Sequence, residues 1–296
     1  MTTFGDQLFQ FGGVPVGSSI PFFRSSANVY FVDGLKGVDG NSGLKPSEAF
    51  ETVDRAIDAV NGRIDWSATP WATSDTIVIA PGVYAENLTA LPYGGTIIGL
   101  GDAFDLDGQR GVTIKPASGS PVDATSVINC HIENICFESP SASVVFQADN
   151  FNRSIVKNCL FTGLPGASPT TTRGLEIVKD MTGSRITGCV FQVVRNGIYI
   201  DTDNANSKQA SGNIIEHCYI RGADQKGIYF EANTVPSYTI INHCVIGDGS
   251  TTLALGLDDD TDMVGVFNTC FEATANDPAS GSGKYNNCYL NGALIT

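Results

Sequence analysis

Positive charge is scarce in this sequence. Its 296 residues carry 17 Lys and Arg against 31 Asp and Glu, a formal net charge of −14. So acidic a chain repels the phosphate backbone of nucleic acids and the surface of anionic membranes, so neither is expected as a partner. Charge of either sign is sparse, at 16%. Helices carry Lys and Glu along their wet faces, so this shortage argues against a helical protein. No apolar run is long enough to span a bilayer. The opening Met1-Thr2-Thr3-Phe4-Gly5-Asp6-Gln7 has neither the basic nor the apolar region of a secretory signal. Synthesis in a reducing cytoplasm is therefore expected. The eight cysteines then read as free thiols rather than a disulfide framework, and without a Cys-x-x-Cys pair a zinc site has no support. Three histidines offer no Ser-His-Asp or Cys-His constellation. Gly94-Gly95 and Gly99-Leu100-Gly101 read as turns between strands, not as a phosphate loop.

What the sequence does contain is a repeat. Glycine is abundant, at 33 residues, and 42% of the chain is hydrophobic, enough for a sizeable core. Seven segments align on one column of apolar, polar, turn residue, Cys, variable, apolar. They begin at Ile132, Val156, Ile186, Ile215, Ile241, Phe267 and Tyr285, and the Cys position steps through Cys159, Cys189, Cys218, Cys244, Cys270 and Cys288. Alternate side chains of a strand face one side, so Cys and the apolar residue two later point inward together. The apolar residue three before Cys joins them if one residue between bends the chain. That residue is Asn158, Gly188, His217, His243 or Asn287, or by this alignment Thr269, and left-handed backbone is cheapest at Gly and Asn. Cys then fills a tight corner as a small hydrophobe. The Phe267 segment is the poorest match, because Glu272 falls on the second inward position.

A second column precedes the bend. Gly174-Leu175-Glu176-Ile177-Val178, Gly197-Ile198-Tyr199-Ile200-Asp201, Gly227-Ile228-Tyr229-Phe230-Glu231 and Ala254-Leu255-Gly256-Leu257-Asp258 align on it. Alternation puts the aliphatic residues and Phe230 inside. It turns Glu176, Tyr199, Asp201, Tyr229, Glu231 and Asp258 toward solvent. Two columns repeating with one step predict an all-β, single-stranded, right-handed parallel β-helix of coils of roughly 18 to 30 residues. Apolar residues at 50, 53, 56, 57 and 60, ended by Asn61-Gly62, predict one helix over about 50–61 that caps the open N-terminal end. Strands follow at Thr76-Ile77-Val78-Ile79, Thr96-Ile97-Ile98 and Val112-Thr113-Ile114. Residues 1–27 are aromatic and Gly-rich without useful periodicity and read as an extended arm, either laid along the β-helix as a strand or docking on a partner through Phe4, Phe9 and Phe11; the β-helix takes residues 28–296.

Tyr30-Phe31-Val32-Asp33-Gly34, Asp39-Gly40-Asn41-Ser42-Gly43, the helix from Phe50 to Val60, and Ile77-Val78-Ile79-Ala80-Pro81-Gly82-Val83-Tyr84 resemble the opening of pectin-lyase-like β-helix proteins. The resemblance covers about residues 28–296. It implies the fold strongly and activity weakly, since that superfamily holds lyases, hydrolases, phage tailspikes and non-enzymatic virion proteins. Polygalacturonase-like hydrolases carry Asn-Thr-Asp, Asp-Asp, Gly-His-Gly and Arg-x-Lys. This chain has Asp201-Thr202-Asp203 and Asp258-Asp259 but neither of the other two. The calcium-and-base cluster of pectate lyases has no counterpart either.

With no complete catalytic motif, no catalytic residue is assigned. A short arm before a β-helix resembles phage and marine-virus virion proteins. The expected function is a non-enzymatic virion-surface protein, a capsid decoration, fibre or tail-associated subunit. It would be held to other virion proteins through residues 1–27, form a homotrimer, and contact a host surface glycan. The alternative is a polysaccharide-degrading tailspike, a lyase or glycoside hydrolase. The outward ladder reads as a solvated acidic edge, and it also supplies the candidate sites: Tyr199, Tyr229, Asp201 and Glu231 for a glycan, and Asp201, Glu231, Asp258 and Asp260 for Ca²⁺, with no other cofactor expected.

Overall fold

Two columns of left-handed residues turn this chain into coils. In the computed structural model, backbone φ is positive at Asn134, Asn158, Gly188, His217, His243, Asn268 and Asn287, forming one corner, and at Asn129, Arg153, Gly183, Gly212 and Tyr238, forming another. Between them run short strands such as His131–Glu133, Ile155–Lys157, Arg185–Thr187 and Ile214–Glu216. The structure describes residues 9–11, 14–16, 27–64, 74–104, 111–141, 143–163, 172–201, 209–231, 234, 237–247, 255–259, 264–272 and 284–295. Of these, 9–11, 14–16, 222–224, 255, 256, 258, 259 and 284 are described by backbone alone.

The result is the expected right-handed parallel β-helix. One face is a ten-stranded parallel sheet from Val29–Val32 to Lys284–Asn286. A fifteen-stranded sheet forms the other two faces. Its second face runs from Gly82–Tyr84 through Cys136–Glu138 and Leu160–Thr162 to Tyr289–Leu290. Its third includes Val122–Ile128, Phe146–Asn152 and Arg173–Thr182. The long strands Val190–Ile200 and Tyr219–Phe230 run from the second face into the third.

Register puts like on like. Phe137, Phe161, Phe191, Ile220, Ile246, Phe271 and Leu290 occupy one inward column. The Phe161 and Phe191 rings stack at 4.7 Å with planes 6° apart. Each thiol of the neighbouring column, from Cys159 to Cys244 and again at Cys288, donates to the carbonyl two residues back and to a carbonyl of the preceding coil. The Cys column is thus a weak hydrogen-bonding ladder as well as a packing element. All eight cysteines are free, and only Cys270 is not fully buried.

That exception corrects the alignment. Val266 pairs with Ile241, Asn268 is the left-handed residue, and fully buried Thr269 takes the Cys position, its Oγ1 accepting from the Cys244 N–H. Phe271, not Glu272, is the second inward residue, so this coil fits the repeat after a one-residue shift. A Cys beside a small polar residue misled the alignment, because Thr fills the same corner and also satisfies a backbone donor.

The other corner is a buried polar ladder that sequence reasoning missed. Cys130 N–H donates to Ser154 Oγ, Ser154 N–H to Ser184 Oγ, and Ser184 N–H to Asn213 Oδ1, at 3.1, 3.1 and 3.0 Å. Each side chain supplies the acceptor that the preceding coil's turn lacks. The signal was present: Ser154, Ser184, Asn213 and Thr239 each stand five residues before a column Cys (159 − 154, 189 − 184, 218 − 213, 244 − 239).

The capping helix spans Val53–Asn61, shorter than expected because Phe50 bridges to Val32 as extended chain. Thr52 caps it, Asp39 accepts from the N–H groups of Glu51 and Thr52, and Glu86 accepts from those of Val53 and Asp54. Anionic groups at a helix N-terminus complement its free donors and dipole. Buried Val53, Ala56, Ile57 and Val60 close the core against Tyr30, Ile77 and Ile97. In the arm, Phe9–Phe11 and Val14–Val16 form an antiparallel hairpin that pairs with no β-helix strand among the described residues. Phe4 lies outside the described residues, as do the side chains of Phe9 and Phe11.

Native protein treated with a thiol reagent is expected to react quickly at Cys270 alone, while denatured protein returns all eight thiols; Cys270→Ser removes the fast phase. Phe161→Ala, at the centre of the ring stack, is expected to cost about 3–5 kcal/mol in denaturant unfolding.

Candidate functional site

The outer side of the corner between the second and third faces holds a cleft of about 230 Å³. Beside its lining residues runs a glycine column, Gly174, Gly197 and Gly227. A Cβ on Gly174 would lie 2.5 Å from the Gly197 carbonyl oxygen and 2.7 Å from the Phe191 ring, and one on Gly197 would lie 2.5 Å from Ile220. Only glycine lets the core approach the backbone this closely. The residues before these glycines form one cross-coil row, Arg173–Asn196–Lys226, and those after them a second, Glu176–Tyr199–Tyr229–Asp258. Arg195 and Gln225 complete the lining.

Cations and aromatic rings interlock here. The Arg173 guanidinium sits 3.7 Å from the Tyr199 ring centroid and the Lys226 ammonium 3.2 Å from that of Tyr229. The two rings meet edge to face at 5.1 Å. Arg173 also pairs with Glu176, and the Tyr199 hydroxyl donates to Glu231 Oε2 at 2.5 Å. Burial and the hydrogen bond to Glu231 push the Tyr199 hydroxyl up, so it holds its proton. Burial pushes the Glu176 carboxyl up against the opposing pull of Arg173. Asn196 is 5% exposed, yet its Oδ1 accepts no hydrogen bond among the described residues.

The predicted site residues are only partly brought together. Tyr199 and Tyr229 meet in the cleft, with Glu231 attached to Tyr199. Asp201 and Glu231 follow on the rim, where their N–H groups donate to the carbonyls of Ile177 and Ile200. Two expectations fail. Tyr199 and Glu176 are not solvated but each only 6% exposed: Arg173 pairs with Glu176 of its own strand and lies over the Tyr199 ring of the next coil. Asp258 does not continue the Asp201–Glu231 ladder: it stands opposite Tyr229, with Leu257, not Leu255, opposite Ile228. A slip of two residues preserves strand alternation, so the sequence pattern cannot distinguish the two registers. The Ca²⁺ set loses Asp258 from its place beside Glu231, and Asp260 lies outside the described residues. No cluster of three or more His, Cys, Asp or Glu suited to a metal ion is found among the described residues. Arg173, Arg195, Asn196, Gln225 and Lys226 were missed. Their signal was a polar residue before each column glycine, as in Arg173-Gly174, Asn196-Gly197 and Lys226-Gly227.

A carboxyl whose folded-state pKa is raised binds its proton more tightly in the folded chain, so its contribution to stability falls as pH rises through and above the ordinary carboxylate range. Glu176→Gln removes that loss. The stability of the variant relative to the parent is therefore expected to rise between about pH 4 and about pH 7, read as the difference in melting temperature.

No family model matches the sequence, and no curated protein does. Solved structures do match. One is a pectin methylesterase in complex with a hexasaccharide, 12% identical, with a TM-score of 0.50 over 90% of each chain. Another is the pectin methylesterase PemA from Erwinia chrysanthemi, 10% identical, with a TM-score of 0.50 and the same coverage. At this identity the likeness is one of architecture: this chain is a right-handed parallel β-helix of the kind that pectin methylesterases share.

Proposed function

We propose that this chain acts on an acidic polysaccharide, which it takes in the cleft of Arg173, Arg195, Asn196, Tyr199, Lys226 and Tyr229. One observation carries the reading. A chain with 17 basic residues and a net charge of −14 sets three of those bases around one concave site and seats two on tyrosine rings. A cationic concave site of this kind is complementary to an anionic ligand. The rest of the acidic surface keeps free anions at a distance, whereas a polymer is held by many contacts at once. A related architecture solved with a hexasaccharide supports the fit of a glycan to this fold. The balance moves from a purely structural virion protein toward the polysaccharide-acting alternative.

A second reading keeps the virion-surface role, with attachment through residues 1–27 and side-by-side association as a homotrimer. The arm hairpin, which pairs with no β-helix strand among the described residues, favours it. Deleting residues 1–27 then abolishes incorporation into particles without altering thermal unfolding; unchanged incorporation overturns it.

The leading reading is tested by titrating the protein with acidic and neutral oligosaccharides of equal length. Arg195→Met with Lys226→Met removes two charges and leaves the Arg173–Glu176 pair intact. Affinity for acidic oligomers is expected to fall at least about a hundredfold, from two lost charge-assisted contacts, while the fold is retained. New reducing ends or unsaturated products on incubation show cutting beyond binding. A folded parent protein that binds no acidic glycan overturns the reading.

A further inference from the structure

Resting on the acidic-glycan reading, we infer that the polysaccharide leaves this cleft along the strands and across the second face, where Arg221 takes a further carboxylate. Two strands carry both places. Val190–Ile200 and Tyr219–Phe230 supply Tyr199, Lys226 and Tyr229 to the cleft, and on the second face they set Gln192 opposite Arg221. Phe191 and Ile220 are fully buried in the core, so Gln192 and Arg221 face outward. Arg221 is exposed. Its Nε donates to Gln192 Oε1 at 2.9 Å, and an N–H of Nη2 reaches the same oxygen. Its guanidinium lies 5.8 Å from the Tyr219 ring centroid.

Charge decides the direction. Elsewhere on the surface Lys45, Lys115, Lys157, Lys179 and Arg185 each pair with a carboxylate. Arg221 meets no carboxylate among the described residues. A neutral amide holds it, which fixes the guanidinium and leaves its charge and three of its five N–H groups uncommitted. Other ways out of the cleft are acidic. Along the axis one row reads Asp123, Gln147, Glu176, Tyr199, Tyr229 and Asp258, with acids on both sides of the tyrosines. Burial pushes the Glu176 carboxyl up, Arg173 pulls it down, and the charges of Asp201 and Asp123 push it up further, so both acids are felt at the cleft. Farther along the same two strands, on the third face, stand Asp201 and Glu231. A polyanion that follows the axis or the third face meets like charge; on the second face it meets Arg221, with the Tyr219 ring beside it. From Gln192 to Tyr199 the chain advances seven residues (199 − 192), at most about 23 Å of strand. A trisaccharide cannot join the two places, and a hexasaccharide can.

The test is calorimetric titration of the full chain with a hexuronic acid trisaccharide and hexasaccharide, read as the ratio of their affinities. The parent protein is expected to bind the hexasaccharide more tightly. Arg221→Met is expected to leave the trisaccharide unchanged and to weaken the hexasaccharide about tenfold or more, the scale of one charge-assisted contact. Gln192→Glu neutralises Arg221 without removing it and is expected to lower the ratio in the same way. Arg195→Met with Lys226→Met, which acts in the cleft itself, is expected to weaken both oligomers alike. Asp123→Asn is expected to leave the ratio as it is, since the polysaccharide does not pass that acid. A parent that binds both lengths equally, a ratio unchanged by Arg221→Met or by Gln192→Glu, or a ratio raised by Asp123→Asn overturns the inference and leaves the acidic-glycan reading intact. Failure of the parent to bind either acidic oligomer overturns both.

Discussion

Successive coils of this chain stack in register, so every side chain meets its counterpart on the next coil at about 4.8 Å. The constraint rewards some columns and penalises others. Apolar residues gain twice, by leaving water and by packing on their own kind, hence the column from Phe137 to Leu290. Like charges repel at this distance, so charged columns are broken up or paired, as in Lys157 with Glu133 and Arg185 with Glu216 across the first face. Neutral polar residues do best at corners, where each turn leaves a backbone donor that the next coil's Ser, Asn or Thr accepts. The stacked rings of His217 and His243, 5.2 Å apart and nearly parallel, obey the same rule at the opposite corner.

The cleft follows from that constraint together with a local break in it. Three glycines carry the backbone from the second face to the third and put two rows of polar side chains on the outer side of one corner. Within the first row a neutral amide lies between the two cationic residues, so no two like charges come from adjacent backbones. Within the second, tyrosines stand beneath those cations and exchange direct repulsion for attraction to ring faces. Glu176 and Glu231 neutralise what is left by pairing with Arg173 and accepting from Tyr199. Asn196 Oδ1 is the position in this arrangement that no described side chain satisfies.

Most of the fold was legible because its signal is repeated. The bend at Asn158, Gly188, His217, His243 and Asn287, the inward column two residues beyond each Cys, and the helix that closes the N-terminal end all follow from spacing and residue type alone. Where one coil departs from the repeat, as at Thr269, the pattern misplaces a residue, because Thr and Cys serve the same corner in different ways.

Sequence by itself determined the coil, its corners and its core, since side-chain alternation and left-handed turns are local properties of the chain. It also marked Tyr199, Tyr229, Asp201 and Glu231 as residues of interest. Tertiary structure alone decided which residues share a rung. Alternation repeats every two residues, so only backbone pairing fixes Asp258 beside Tyr229 rather than beside Glu231. Likewise Arg173, Asn196 and Lys226 lie far apart in the chain and in a region where glycine interrupts alternation; only the stacking of three coils makes them one row over one cleft.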